Sequence, residues 1–149
     1  MKKNGHITGF YLETLLLIVV FIAIILVLTQ VFGLAQVQSV RAKQLTEAVT
    51  LAGNAAEAVS ASHSPEDLLT LLNENENAAL LPGSAGVTAS YGSDLSPDPA
   101  GNYRVEVSWL PEPTDTGRMV RSVILVRFGA DEEPVYELET AVFLPGVES

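Results

Sequence analysis

The chain has 149 residues, with 8 Lys plus Arg, 18 Asp plus Glu, 2 His and no Cys, for a formal net charge of -10. That length suits one small folded domain plus an appendage. Without cysteine there is no disulfide framework, no thiolate nucleophile and no Cys-ligated zinc, so the fold rests on packing alone.

The N-terminus is a basic leader, Met1-Lys2-Lys3, followed by an apolar block. Leu15 to Leu28 is an unbroken run of fourteen apolar residues, and Val31, Phe32, Leu34 and Ala35 prolong it past Thr29 and Gln30. With Phe10, Tyr11 and Leu12 in front, it reaches the roughly 20 residues that a membrane-spanning helix needs. One carboxylate, Glu13, stands at its mouth. Lys2 and Lys3 favour a cytoplasmic N-terminus, although Arg41 and Lys43 beyond the span weaken the asymmetry. The expected topology is N-terminus in, C-terminal domain out. Leu34-Ala35-Gln36 fits a secretory cleavage site only loosely.

Past the span, residues 36–62 hold no proline. Apolar residues recur at Val37, Val40, Leu45, Ala48, Val49, Ala52, Ala55, Ala56 and Val59, the spacing of one helical face. One helix from about Phe10 to about Ala61 follows, on the order of 75 Å long at 1.5 Å per residue. Gly33 and Gly53 each cost it about 1 kcal/mol against alanine, so bending is expected there.

A basic leader ending in Gly9, then Phe10, an acid at Glu13, a spanning helix and an amphipathic extension together resemble the type IV pilin and pseudopilin family. The likeness covers about the first third of the chain in sequence. It implies that a prepilin peptidase cuts after Gly9 and N-methylates Phe10. It further implies that Glu13 offsets the terminal amine of a neighbouring subunit as helices stack into a filament. In the family the acid stands fifth in the mature chain, whereas Phe10-Tyr11-Leu12-Glu13 puts it fourth, a displacement of about 100° around the helix. Phe10 and Glu13 are three apart and share a helix face, so a freed Phe10 amine also attracts Glu13 within one subunit, aided by the helix dipole.

In the rest of the chain, Ser64-Pro65-Glu66-Asp67 supplies a cap, a proline at the first helical position and acids in the first turn. A short helix through Leu68, Leu69, Leu71 and Leu72 follows, ending at Asn73 to Asn77. Leu81 to Gly86 and Ser93 to Asn102 are turn-rich loops around a weak strand, Val87 to Tyr91. Tyr103, Val105, Val107 and Trp109 alternate with Arg104, Glu106 and Ser108, as in a strand with one wet face. Val120 to Phe128 repeats the pattern, and Val135 to Phe143 repeats it with Tyr136, Leu138 and Val142 on one side. The connections Pro111–Gly117 and Gly129–Pro134 are short enough for antiparallel neighbours. The expected fold class is α+β: a long N-terminal helix, transmembrane then amphipathic, packed on a small three- to four-stranded antiparallel sheet through Val49, Ala52, Ala56 and Val59. That body is also what the pilin resemblance implies. The organisation reads as a leader (1–9), a transmembrane helix (10–35), its amphipathic extension (36–62) and an extracytoplasmic α+β domain (63–149).

Other constellations carry less chemistry. Asp94, Ser96, Asp98 and Asn102 place oxygen ligands in one loop, and Asp131-Glu132-Glu133 is a second acidic cluster, so both are weak calcium candidates that match no EF-hand loop. No other cofactor is implied. His63 has no partner histidine, and Trp109 and Tyr103 are read as core. Arg118, Arg121 and Arg127 are placed to pair with Glu106, Glu137 or Glu139 across strands. From Gln44 onward seventeen acids face four bases, which argues against nucleic acid as a direct partner.

The leading expectation is therefore a non-enzymatic structural subunit of a type IV pilus, a type II secretion-like pseudopilus or a competence pseudopilus. Its partners would be membrane lipid, the prepilin peptidase, other pilin-like subunits and an assembly platform. The alternative is an uncleaved, single-pass, membrane-anchored binding or scaffold module. An anchored enzyme, with carboxylates as the only acid-base candidates, ranks last.

Overall fold

The computed structural model describes residues 3–131 and 133–146, with side chains from residue 5 onward. Met1 and Lys2 of the leader and Glu132 of the second acidic cluster lie outside the described residues. The chain forms two compact units, Met1–Ala42 and Lys43–Ser149.

A single α-helix, α1 (Lys3–Ala61), supplies residues to both units. It begins earlier than Phe10, so the described leader residues are helical too. Gly5, Gly9, Gly33 and Gly53 all sit inside it, and a Cβ added at any of them would meet nothing within 4 Å. Among the described residues no close packing therefore calls for glycine at these positions, where each weakens the helix by about 1 kcal/mol.

The second unit adds α2 (Pro65–Leu72) and a six-stranded antiparallel sheet. Ser64 caps α2 as the sequence leads one to expect, its Oγ accepting from the Asp67 N–H at 3.1 Å, with Pro65 opening the helix. The helix buries Leu68 and Leu72. The strands are β1 (Ala78–Leu80), β2 (Gly86–Tyr91), β3 (Tyr103–Ser108), β4 (Leu110–Thr114), β5 (Gly117–Phe128) and β6 (Tyr136–Pro145). The α+β class stands, but six strands replace the three or four expected. The additions are β1, which is too short to show a period, and β4, whose Leu-Pro-Glu-Pro-Thr reads as a connection.

β5 organises the sheet. Its first half pairs with β4 (Leu110↔Arg121 to Thr114↔Gly117) and its second with β3 (Tyr103↔Phe128 to Val107↔Ile124), with the same offset in both. β6 pairs along its other edge from Val126↔Tyr136 to Gly117↔Pro145. Between β3 and β4 the ladder is locally rerouted. Ser108 Oγ accepts the Val123 N–H at 2.8 Å, and the Trp109 N–H turns to Ala85 O at 2.7 Å. Only Asp115 and Thr116 remain as the β4–β5 turn. At the mouth of β2, Gly86 has φ +149°, and a Cβ there would lie 1.9 Å from Val107 O, so only glycine fits.

One sheet face is apolar and is covered by α1. Ala48, Leu51, Ala52, Ala55 and Val59 are buried against Val87, Ala89, Val105, Val107, Val120, Ile124 and Val126. Of the four helix contacts expected, Ala52 and Val59 are buried and Ala56 is partly buried. Val49 is 44% exposed, because it lies about 100° round the helix from Ala48 and off the buried stripe. Leu51 takes its place. Trp109 and Tyr103 fill the core as expected. The Tyr103 ring packs on Phe128 with centroids 4.8 Å apart, and its hydroxyl donates to Glu47 Oε2 on α1. Burial, reinforced by the hydrogen bond and charge of Glu47, pushes the Tyr103 phenol well above its ordinary value. Ser122, fully buried opposite Thr140, has no hydrogen-bond partner for its Oγ among the described residues.

Two stability measurements follow. Tyr103→Phe removes a hydrogen bond to a charged group and should cost about 1.5–3 kcal/mol in denaturant unfolding at neutral pH. The folded state holds the phenolic proton more tightly than the unfolded chain, so this stabilisation is complete below the ordinary tyrosine value of about 10 and declines as pH rises past it. The alkaline loss should shrink in Tyr103→Phe. Ser122→Ala removes an unpaired buried hydroxyl and should leave stability unchanged or raise it by up to about 1 kcal/mol, whereas Ile124→Ala should cost about 2–5 kcal/mol.

Candidate functional site

In the first unit the sequence-derived site residues fall on one face of α1. Gly5, Gly9 and Glu13 recur every four residues, and with His6 and Phe10 they line a shallow groove of about 430 Å³. The structure thus brings Gly9, Phe10 and Glu13 together. The Phe10 ring meets Tyr11 edge-on at 6.3 Å, and Phe10 O accepts the Thr14 hydroxyl at 2.9 Å.

The run that follows is apolar on every side. Its best window has a mean hydropathy of 3.2, and each large side chain from Leu15 to Leu28 is 45–64% exposed. One helix near the N-terminus is therefore long and apolar enough to cross a membrane. Val20, Ala23, Ile24, Val27 and Leu28 shape a wholly apolar groove of about 320 Å³ on it. Thr14 and Thr29 return their hydroxyls to Phe10 O and Ile25 O, both at 2.9 Å, which satisfies them without water. Glu13 has no such arrangement. Among the described residues its carboxylate has neither ion pair nor hydrogen bond.

The calcium candidates of the first loop are partly engaged in local hydrogen bonds. Asp94 Oδ1, Ser96 Oγ and Asp98 Oδ2 converge on Gly92, lying 2.8, 3.7 and 3.8 Å from where its Cβ would be. Asp94 Oδ1 is already occupied, accepting from Ser96 Oγ at 2.6 Å and Ser96 N at 3.1 Å, and these bonds hold its carboxyl below the usual value. Asp98 Oδ1 accepts from Ala100 N at 2.9 Å. The Asn102 carbonyl accepts the Gly129 N–H at 2.8 Å. Among the described residues no three His, Cys, Asp or Glu side chains are grouped to hold a metal ion.

Sequence reasoning did not anticipate a cleft of about 660 Å³ on the wet face of the sheet, lined by Gly101, Asn102, Arg104, Glu106, Arg127 and Asp131 among others. Arg104 and Arg127 are direct cross-strand neighbours, and Arg127 Nη1 donates to Glu106 Oε2 at 2.6 Å. This is one of the expected Arg–Glu pairs. Arg121 instead meets Glu112 on β4 at 3.6 Å, and Arg118 reaches the His63 carbonyl at 3.4 Å. Alternation of Arg104 and Arg127 with apolar neighbours was the available signal, but it becomes a cleft only once β3 and β5 are in register.

No family model, curated protein or solved structure matches the chain.

The Arg127–Glu106 pair is only a quarter to a third exposed, so a double-mutant cycle with Arg127→Ala and Glu106→Ala should give a coupling of about 1 kcal/mol, above that of the more exposed Arg121–Glu112 pair.

Proposed function

We propose that this protein is a pilin-like structural subunit, with no catalytic step of its own. In this reading α1 crosses the cytoplasmic membrane with the N-terminus inside and residues 63–149 outside. A prepilin peptidase cuts after Gly9 and methylates Phe10. The trimmed chain then passes, with an assembly platform, into a filament of pilin-like subunits.

The observation that carries this reading is Glu13: a carboxylate without a partner among the described residues, on the groove it shares with Gly9 and Phe10, at the mouth of the apolar run. A charge at the centre of a spanning helix costs about 2.5–3.5 kcal/mol, and less near the interface. Trimming creates a cation close by. Phe10 and Glu13 stand one turn apart, so the new amine can be met by this carboxylate or by that of a neighbouring subunit. Gly9 supports the same reading, since among the described residues no neighbour needs it to be glycine. The uniformly apolar surface after it suits helix-to-helix packing, which in lipid depends on van der Waals contact.

One observation favours the second reading, an uncleaved anchor carrying a binding or scaffold domain. The Gly9–Phe10 bond lies inside α1, so a peptidase reaches it only after the helix opens there. Gly5 and Gly9 lower the cost of that opening.

Three variants separate the readings. In the native cell Gly9→Ala should hold the protein in the membrane as untrimmed chain. Glu13→Gln should be trimmed but reach the sheared surface-filament fraction poorly, and Glu13→Asp should restore part of the wild-type level. Wild-type amounts of all three in that fraction would refute the proposal.

A further inference from the structure

The sheet has two long outer edges, and they are built differently. The two-residue turn makes Thr114↔Gly117 a hydrogen-bonded pair, and such pairs then alternate along the ladder. Odd-numbered residues of β5 therefore bond toward β3 and β4, as the Val123 N–H does to Ser108 Oγ. On β4 the odd positions point away from β5, and there stand Pro111 and Pro113. Two outward donors are thus deleted, a familiar protection against strand addition.

β6 has no such protection. Even-numbered residues of β5 bond toward β6, and their partners are Tyr136, Leu138, Thr140, Val142 and Leu144. The N–H and C=O groups of Glu137, Glu139, Ala141 and Phe143 consequently point outward, and among the described residues no strand pairs with them. The strand is ten residues long, with no proline before its last position and no lysine. Its wet face carries Glu137 and Glu139, both exposed, opposite Leu125 and Val123 on β5 rather than bases. Its other face carries Tyr136, Leu138 and Val142, each half-buried.

We infer that the β6 edge binds an extended segment of another protein, in which Lys or Arg alternates with β-branched apolar residues, added as a seventh strand. Main-chain bonds to residues 137–143 supply the attachment, and alternate side chains supply the choice of partner. Basic side chains meet Glu137 and Glu139, while apolar ones cover the exposed parts of Tyr136, Leu138 and Val142. A second copy fits poorly, because pairing two such edges gathers four carboxylates onto one face. The inference is independent of whether the chain is cut at Gly9.

The test uses the full chain in zwitterionic detergent and an eight-residue peptide of alternating Lys and Val. In the free protein, amides of residues 139, 141 and 143 should exchange rapidly while those of 138, 140 and 142 are protected. The peptide should protect the first set. Ala141→Pro, which removes an outward N–H and no β5 bond, should abolish that protection while the even-numbered amides stay protected. Should Ala141→Pro disturb the sheet, Glu137→Lys with Glu139→Lys serves instead. It should weaken the Lys–Val peptide by at least about tenfold and favour a Glu–Val peptide. Absence of protection by the peptide, equal protection by both peptides on the wild type, peptide binding that survives Ala141→Pro in an intact sheet, or protection of residues 139, 141 and 143 without peptide would each overturn the inference.

Discussion

The folded domain depends on one contact, the covering of a sheet face by a stripe of small residues on α1. Ala48, Ala52 and Ala55 are buried along this stripe, with Leu51 and Val59 buried beside them. Strands of this size cannot bury an apolar face by themselves. The helix is therefore the second layer of the core as well as the chain's apolar N-terminal segment. Its two parts are patterned differently: residues 15–28 are apolar on every side, while residues 48–59 are apolar along one stripe. A charge placed in the second stripe would be resisted by the core. The charge at Glu13 meets no ion pair or hydrogen bond among the described residues.

Much of the fold was legible because its signals are local. The Ser64-Pro65 start of α2 needs only its own turn, and the alternation of Tyr103 to Trp109 and of Val120 to Phe128 marks faces without knowledge of partners. What escaped depended on distant residues. β4 reads as a connection because prolines break ladders, yet Pro111 and Pro113 occupy the positions at which an edge strand needs no donor. β1, at Ala78–Leu80, exists through its pairing with β2 and has too few residues for a period. Val49 was placed in the core by counting apolar residues, and the exact phase of the stripe excluded it.

The candidate site residues divide in the same way. Gly9, Phe10 and Glu13 could be placed together from helical spacing alone, since three and four residues define a face. The cleft between Arg104 and Arg127 could not, because only strand register makes those residues neighbours. Register also distinguishes the proline-blocked edge of β4 from the open edge of β6. The acidic surface, which looks uniform as a charge count, is therefore differentiated: one face holds a half-buried Arg–Glu pair, and one edge presents exposed carboxylates beside open backbone.

The central claim is that removal of residues 1–9 puts a cationic amine one helical turn from Glu13. The most direct measurement is the N-terminal mass of the protein recovered from its own cell. A terminus at Phe10 bearing one added methyl group is the result expected. An intact leader on protein from cells that contain an active prepilin peptidase would contradict it.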